Sequence, residues 1–362
     1  MNRDAFSARL AAIRPADAAA MDAARRRQAQ LAKPPGSLGK LEDISIQLAG
    51  ITGHIDNEIE KTRIYVLAAD NGVVAEGVSS APQSVTRQQA INLTRGVTGA
   101  SAIAHHFGDE LVVVDVGIAE DYTCPQIVNR RIARGTKNIA KEPAMTVQQA
   151  LTALDTGMTL AAQAKRDGVQ ALGVGEMGIG NTTTSAAVLM ALTGCAVEDA
   201  VGRGGGVTDE AFARKRAVAA GALARLRPDA GDAVDVLAKV GGFDLAAMAG
   251  VFLGAAESRL PVVIDGFISV VAALCAVRLC PAARDFLFAS HGSFERGYAV
   301  AARALSLTPV LLLDMRLGEG SGCPLGFRVL EAACAAMNGM ATFEDARIDD
   351  GYLAPIRAKD CF

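Results

Sequence analysis

The chain has 362 residues, of which 51% are hydrophobic, enough for one large core with a smaller appended unit or for two ordinary domains. A net charge of -3, short basic clusters at Arg25-Arg26-Arg27 and Arg214-Lys215-Arg216, no tryptophan and only four tyrosines argue against a nucleic-acid partner, which needs a broad basic field or aromatic stacking faces. The seven scattered cysteines (Cys124, Cys195, Cys275, Cys280, Cys323, Cys334, Cys361) contain no C-x-x-C pair and suggest neither a disulfide framework nor a zinc site.

The N-terminus lacks a continuous apolar stretch before a cleavage site, so a cytoplasmic protein is expected; separately, neither a metal nor a cofactor is expected. Residues 1–50 read as helices without strands, interrupted by Lys33-Pro34-Pro35-Gly36. Residues 316–362 read similarly after a glycine-rich loop. Both ends are expected to build one small helical domain beside an α/β domain spanning 51–315.

In that middle region, Val-, Ile- and Leu-rich runs at 64–68, 111–116, 169–174, 261–264, 286–289 and 309–313 alternate with helical patterns at 88–106, 147–165, 210–226, 245–257 and 294–307. This alternation predicts a doubly wound, mostly parallel, Rossmann-like sheet of about six strands. The apolar stretch 245–279 is cut by Glu257, Arg259, Pro261 and Asp265 into pieces too short to span a bilayer, so no membrane partner is expected.

Polar residues close these runs: Asp70-Asn71, Asp115, Glu176, Asp265, Ser290-His291 and Asp314. Singly, each fits a helix cap or a turn. Together they mark the carboxyl edge of the sheet, where open α/β folds bind ligands.

The densest signal is Gly173-Val-Gly-Glu-Met-Gly-Ile-Gly-Asn-Thr-Thr-Thr184, a turn between a strand and a helix. Glycines let successive N–H groups converge on one anion, the helix adds its positive end, and Asn181, Thr182 and Thr183 offer further donors, so a phosphate fits without a metal. The G-x-G-x-x-G spelling admits a dinucleotide fold, but residues 193–197 make a poor second strand before Glu198 and Asp199. A Walker loop fails because Asn181 and Thr182 stand where Lys and Ser or Thr are required.

Gly202-Arg-Gly-Gly-Gly206 precedes a helix carrying Lys215 and can bring more donors and a cation to the same phosphate; a flexible lead-in with a solvated lysine is the ordinary alternative. Near the end, Arg316-Leu-Gly-Glu319-Gly-Ser-Gly322 surrounds a carboxylate with glycines, where partial desolvation would make it a stronger base; a turn with an exposed acid is the other reading.

An ordered set of motifs then identifies a resemblance: Lys33-Pro-Pro-Gly-Ser-Leu-Gly39, Ala69-Asp-Asn-Gly-Val73, residues 78–88, Gly175-Glu-Met-Gly-Ile-Gly-Asn-Thr-Thr183, Gly241-Gly-Phe-Asp244 and Leu317-Gly-Glu-Gly320. From Lys33 to Met340-Ala-Thr-Phe-Glu344, the chain resembles the nicotinate-nucleotide:dimethylbenzimidazole phosphoribosyltransferases. The resemblance implies transfer of 5-phosphoribose from nicotinate mononucleotide to 5,6-dimethylbenzimidazole or a related base, giving α-ribazole 5′-phosphate and nicotinate for the lower ligand of cobalamin, by single displacement and in a homodimer.

By motif matching, it further implies Glu319 as general base and Glu176 as the secondary acid. Ser80, Gln88 and Leu317 would bind the base. Gly178, Gly180, Asn181, Thr182, Gly204, Lys215, Asp244, Asp265, Gly292 and Ser293 would bind phosphate or ribose. Gln89-Ala90-Ile91-Asn92-Leu93 departs from the family's pattern in the base-binding helix, leaving the accepted base open. Two other classes remain: a metal-dependent transferase using phosphoribosyl pyrophosphate, whose paired acids Asp70-Asn71 does not supply, and a non-catalytic binder of phosphorylated nucleotides.

Overall fold

The structure is a computed structural model and describes residues 1–359; Cys361 lies outside the described residues. The chain divides into two units, one formed by Met1–Arg14 and Lys61–Gly326, the other by Pro15–Glu60 and the chain from Phe327 onward.

The larger unit holds a six-stranded sheet in the order β3-β2-β1-β4-β5-β6, with every neighbouring pair parallel. Its strands are β1 (Thr62–Ala69), β2 (Glu110–Gly117), β3 (Val128–Asn129), β4 (Ala171–Met177), β5 (Val262–Ile264) and β6 (Leu287–Ala289). β1 and β4 are buried along their whole lengths, as expected where helices cover both faces of a parallel sheet. The chain leaves β1 toward β2 on one side, and β4 later packs on the other. The strand order therefore reverses between β1 and β4, opening a crevice at their carboxyl ends.

Helices Phe243–Glu257 and Phe267–Leu279 account for the stretch that raised the membrane question. Residues Phe243 to Ala256 and Phe267 to Ala276 are buried in the core of this unit. Among the described residues, no helix is long and apolar enough to cross a membrane.

Three expectations change. The run 309–313 is not a strand: it touches the end of β6 through Val310 N, which donates to Ala289 O at 3.2 Å, and an isolated bridge between His291 and Leu311, and Leu312 is 84% exposed. The sixth strand is instead the two-residue β3, which had too short an apolar run to be noticed. The helix expected at 88–106 is two helices, Ser84–Thr94 and Gly99–Phe107; Thr98 caps the second through a reciprocal bond pattern with Ser101.

The first helix, Arg3–Ala12, belongs to the larger unit because Arg9 reaches Asp155 at 2.8 Å and Glu257 at 2.5 Å, both on helices of that unit. Residues up to Gly326, Glu319 included, also fall there, so the unit limits differ from the 1–50, 51–315 and 316–362 division.

The smaller unit is helical. Asp17 caps helix Ala18–Gln30 by accepting from Ala19 and Ala20, and helix Lys40–Thr52 follows the Pro-Pro-Gly loop. Inside that loop region, Lys33 is buried and pairs with Glu42 at 2.7 Å. An antiparallel bridge between Leu31 and Thr342 joins the segments contributed by the two ends of the chain.

Candidate active site

The crevice at the carboxyl end of the larger unit's sheet opens into a cavity of about 260 Å³. The loop after β4 forms one wall. Gly180 has φ 92 and ends that loop, so the helix Asn181–Thr193 starts with its positive end beside the cavity, although Asn181 N and Thr183 N donate to Gly178 O and Gly180 O. Thr182 lies on the first turn and accepts a hydrogen bond from Lys215 Nζ at 2.7 Å. Lys215 is buried rather than solvated, and burial lowers its pKa to about 8. A Cβ at Gly204 would come within contact range of both Thr182 Oγ1 and Lys215 Nζ, so this glycine passes beside the pair. A helix N-terminus, a hydroxyl and a desolvated ammonium suit a phosphate.

A second wall is the loop carrying Glu319. This residue is buried and has φ 62, an uncommon conformation for a side-chain-bearing residue, between Gly318 and Gly320. The loop is fixed from below: Asp265, just past β5, accepts from Gly320 N at 3.0 Å and from Gly322 N at 2.7 Å. Gly175 of β4 must lack a side chain, because a Cβ there would strike the backbone of Glu319 and Gly320.

Glu319 Oε1 accepts from Gln89 Nε2 at 2.8 Å, while Oε2 is buried without a hydrogen-bond partner. Burial raises the Glu319 pKa, and the hydrogen bond from Gln89 opposes the rise. The result is a positioned carboxylate, held through one oxygen, with a basicity above that of a solvated acid.

Glu176, near the end of β4, also lines the cavity. Its pKa is pushed up to about 8, chiefly by burial and then by the nearby charge of Asp244. Behind Asp265, His291 stands 4.0 Å away and bonds to Ser290 at 3.1 Å. Burial pushes Asp265 up and His291 down, and their mutual attraction opposes both changes.

The residues singled out from sequence separate into two groups. Ser80, Glu176, Gly178, Gly180, Asn181, Thr182, Gly204, Lys215, Asp265, Ser293, Leu317 and Glu319 line the cavity. Gln88, Asp244 and Gly292 do not. Gln88 points to solvent from its helix, and it is Gln89 that reaches Glu319. Asp244 is wholly buried behind the wall, and Gly292 packs against Pro309 and Leu312.

Helix periodicity carried the missed signal for Gln89. Thr86, Ala90 and Leu93 form the buried stripe of helix Ser84–Thr94, and position 89 lies on that face whereas 88 does not. Arg203, Arg316 and Met177 also line the cavity without having been singled out as site residues. Asp314, expected at a strand end, is exposed on the irregular segment that replaces the strand.

A phosphoribosyltransferase family profile matches residues 13–348. The chain belongs to that family. Relatives named nicotinate-nucleotide--dimethylbenzimidazole phosphoribosyltransferase include those of Clostridium perfringens, 52% identical and covering 94% of each chain, and Acetivibrio thermocellus, 49% identical over 91% of this chain and 94% of the relative. The crystal structure of CobT from Thermus thermophilus is 43% identical and superimposes with a TM-score of 0.88, covering 92% of this chain and all of that one. The parallel α/β sheet is thus the family's architecture, and the cavity lies in an enzyme that transfers a pentosyl group.

Proposed function

We propose that this phosphoribosyltransferase moves 5-phosphoribose from nicotinate mononucleotide to 5,6-dimethylbenzimidazole or a related base, with Glu319 as general base. The observation that carries this reading is the unpartnered Oε2 of a buried, Gln89-held carboxylate in the same cavity as the Lys215–Thr182 phosphate cradle.

The nicotinate leaving group is a pyridinium and departs from C1′ with the bonding electrons, becoming neutral at nitrogen without needing a proton. One benzimidazole nitrogen forms the new bond to C1′, and the proton on the other nitrogen passes to Glu319. This makes the nucleophile richer in electrons as the bond forms. A β-linked donor and an α-linked product require attack on the face opposite the leaving group, in one displacement. Holding both substrates in line is then the main task, and no covalent enzyme intermediate is involved.

The names and high coverage of the relatives support the same substrates here. In this reading the protein acts in the cytoplasm as a homodimer, a state that light scattering of the purified chain measures directly.

The test is incubation of the purified protein with nicotinate mononucleotide and a panel of benzimidazoles, purines and phenols, without added divalent metal, followed by mass spectrometry. Release of nicotinate together with a ribosylated base is expected, and no ribosylated product with any base overturns the transferase reading. Replacement Glu319→Gln should lower turnover by about a hundredfold or more. A loss below about tenfold with donor affinity unchanged removes Glu319 from the role of base.

A further inference from the structure

Asp244 is the first acid of helix Phe243–Glu257, 0% exposed, and absent from the cavity wall. Its Oδ1 accepts from Leu245 N at 2.9 Å, and its Oδ2 accepts from Asn181 Nδ2 at 3.1 Å. The same Asn181 nitrogen donates to Glu176 Oε2. A side-chain amide has two hydrogens, and both are taken by carboxyl groups. Asn181 therefore has no side-chain N–H left for a phosphate, and its backbone N–H donates to Gly178 O at 3.2 Å.

The surroundings are built to bring the three groups together. A Cβ at Gly178 would collide with Asp244 Oδ2 and crowd Asn181 Nδ2, so only glycine lets the β4 loop pass there. Asn71, just past β1, approaches Asp244 Oδ2 at 3.5 Å through its own amide and accepts from Thr184 at 3.3 Å. Among the described residues, no cation pairs with Glu176 or Asp244. Two buried acids joined by one neutral amide cannot both hold full charge at low cost, because nothing nearby compensates the second charge. Asp244 sits in the first turn of its helix and accepts a backbone N–H, so charge settles there. Glu176 has the Asn181 amide alone and keeps the proton.

We propose that Asp244, acting through Asn181, is a positioning residue that fixes the Glu176 carboxyl and holds it protonated, so that Glu176 meets the ribose as a hydrogen-bond donor. The inference deepens the proposed function, since it rests on Glu176 facing the phosphoribose. The groups that bear on the Glu176 proton are Asp244 and Asn181 from their helices, Asp265 after β5, and Glu319 in the loop above. All three acids favour the neutral form, and only the Asn181 bond opposes it.

The decisive variant is Asp244→Asn, which keeps shape and removes charge. In the kcat/KM profile of the full-length enzyme, activity should fall on the alkaline side as Glu176 loses its proton. With Asp244→Asn this limb should move to lower pH by about one unit. In a Glu176→Gln background, where that proton cannot be lost, the Glu176 limb should be absent and the Asp244→Asn change should displace nothing that remains of the profile. A purely structural role predicts uniform loss at every pH with an unmoved limb, and that result overturns the proposal, as does an equal displacement in the Glu176→Gln background.

A second measurement needs neither turnover nor a stable Asp244 variant. The infrared difference between wild type and Glu176→Gln at neutral pH should contain the carbonyl stretch of a protonated carboxylic acid, and its absence overturns the proposal. Because this reads the proton without substrate, a missing band is distinguishable from failure of the transferase reading, which the product assay reports.

Discussion

Gln89 Nε2 donates to Glu319 Oε1 at 2.8 Å across a sequence separation of 230 residues, tying the helix after β1 to the loop that carries the proposed base. The bond fixes one oxygen of the carboxylate beside the cavity that Glu319 lines. It also holds the carboxylate against rotation, since Oε2 has no partner of its own.

Replacement Gln89→Ala should therefore lower kcat/KM by roughly ten- to a hundredfold, the loss expected when a buried hydrogen bond to a charged group is removed. Gln88→Ala, one residue away but solvent-facing, should stay within about twofold. Steady-state kinetics of the two variants with the same base compares them directly, and equal losses would remove the Gln89 assignment.

Lys215 is the buried cation of the phosphate cradle, 1% exposed and bonded to Thr182. Lys215→Met should raise KM for nicotinate mononucleotide by about ten- to a hundredfold through loss of a charge-assisted bond. Lys215→Arg should not restore it, because a wider planar head does not fit a fully enclosed ammonium site. Since burial lowers the Lys215 pKa to about 8, donor affinity should also weaken above that pH, with the phosphate's own charge pulling the transition upward. Titration calorimetry of donor binding against pH reads both effects.

The sheet and the phosphate side of the cavity were legible because local pattern determines them. β1 and β4 are continuous apolar runs, and Gly178, Gly180 and Thr182 belong to one strand–turn–helix segment. What stayed hidden depends on partners distant in sequence. The run 309–313 has the apolar composition of a strand, yet its Leu312 and Leu313 side chains are exposed and its pairing with the end of β6 stops at Val310 and Leu311. β3 is too short to carry a pattern, and its pairing with Val114 and Asp115 exists only once β2 is in place. Asp244 looked like a ligand-binding acid from its motif, whereas its contacts with Asn181 and Asn71 turn it away from the cavity.

Gly175 tests the close fit between β4 and the Glu319 loop. A methyl group there meets backbone atoms of Glu319 and Gly320, which cannot swing aside like the end of a flexible side chain. Gly175→Ala should displace the loop, lower turnover by about tenfold or more, and destabilise the fold by about 1–3 kcal/mol. Thermal unfolding with activity assays on one preparation checks both. Unchanged turnover with unchanged stability would mean the loop accommodates the methyl elsewhere.

The raised pKa of Glu176 has a consequence for stability that is separable from catalysis. Its folded-state value of about 8 lies above the ordinary carboxylate value of 4.5. The folded protein therefore keeps a proton that the unfolded chain releases between those limits. The stability linked to this group is present in full below about pH 4.5 and is lost progressively as pH rises toward 8. Glu176→Gln removes the titration and retains a neutral side chain of similar shape. Relative to wild type, the variant should gain stability with rising pH across this window, the difference reaching on the order of a few kcal/mol at its alkaline end. Urea unfolding of both proteins from pH 5 to pH 9 measures this. A stability difference independent of pH would show that Glu176 titrates alike in the folded and unfolded chain, and would remove the burial and the Asp244 charge as causes of a shift.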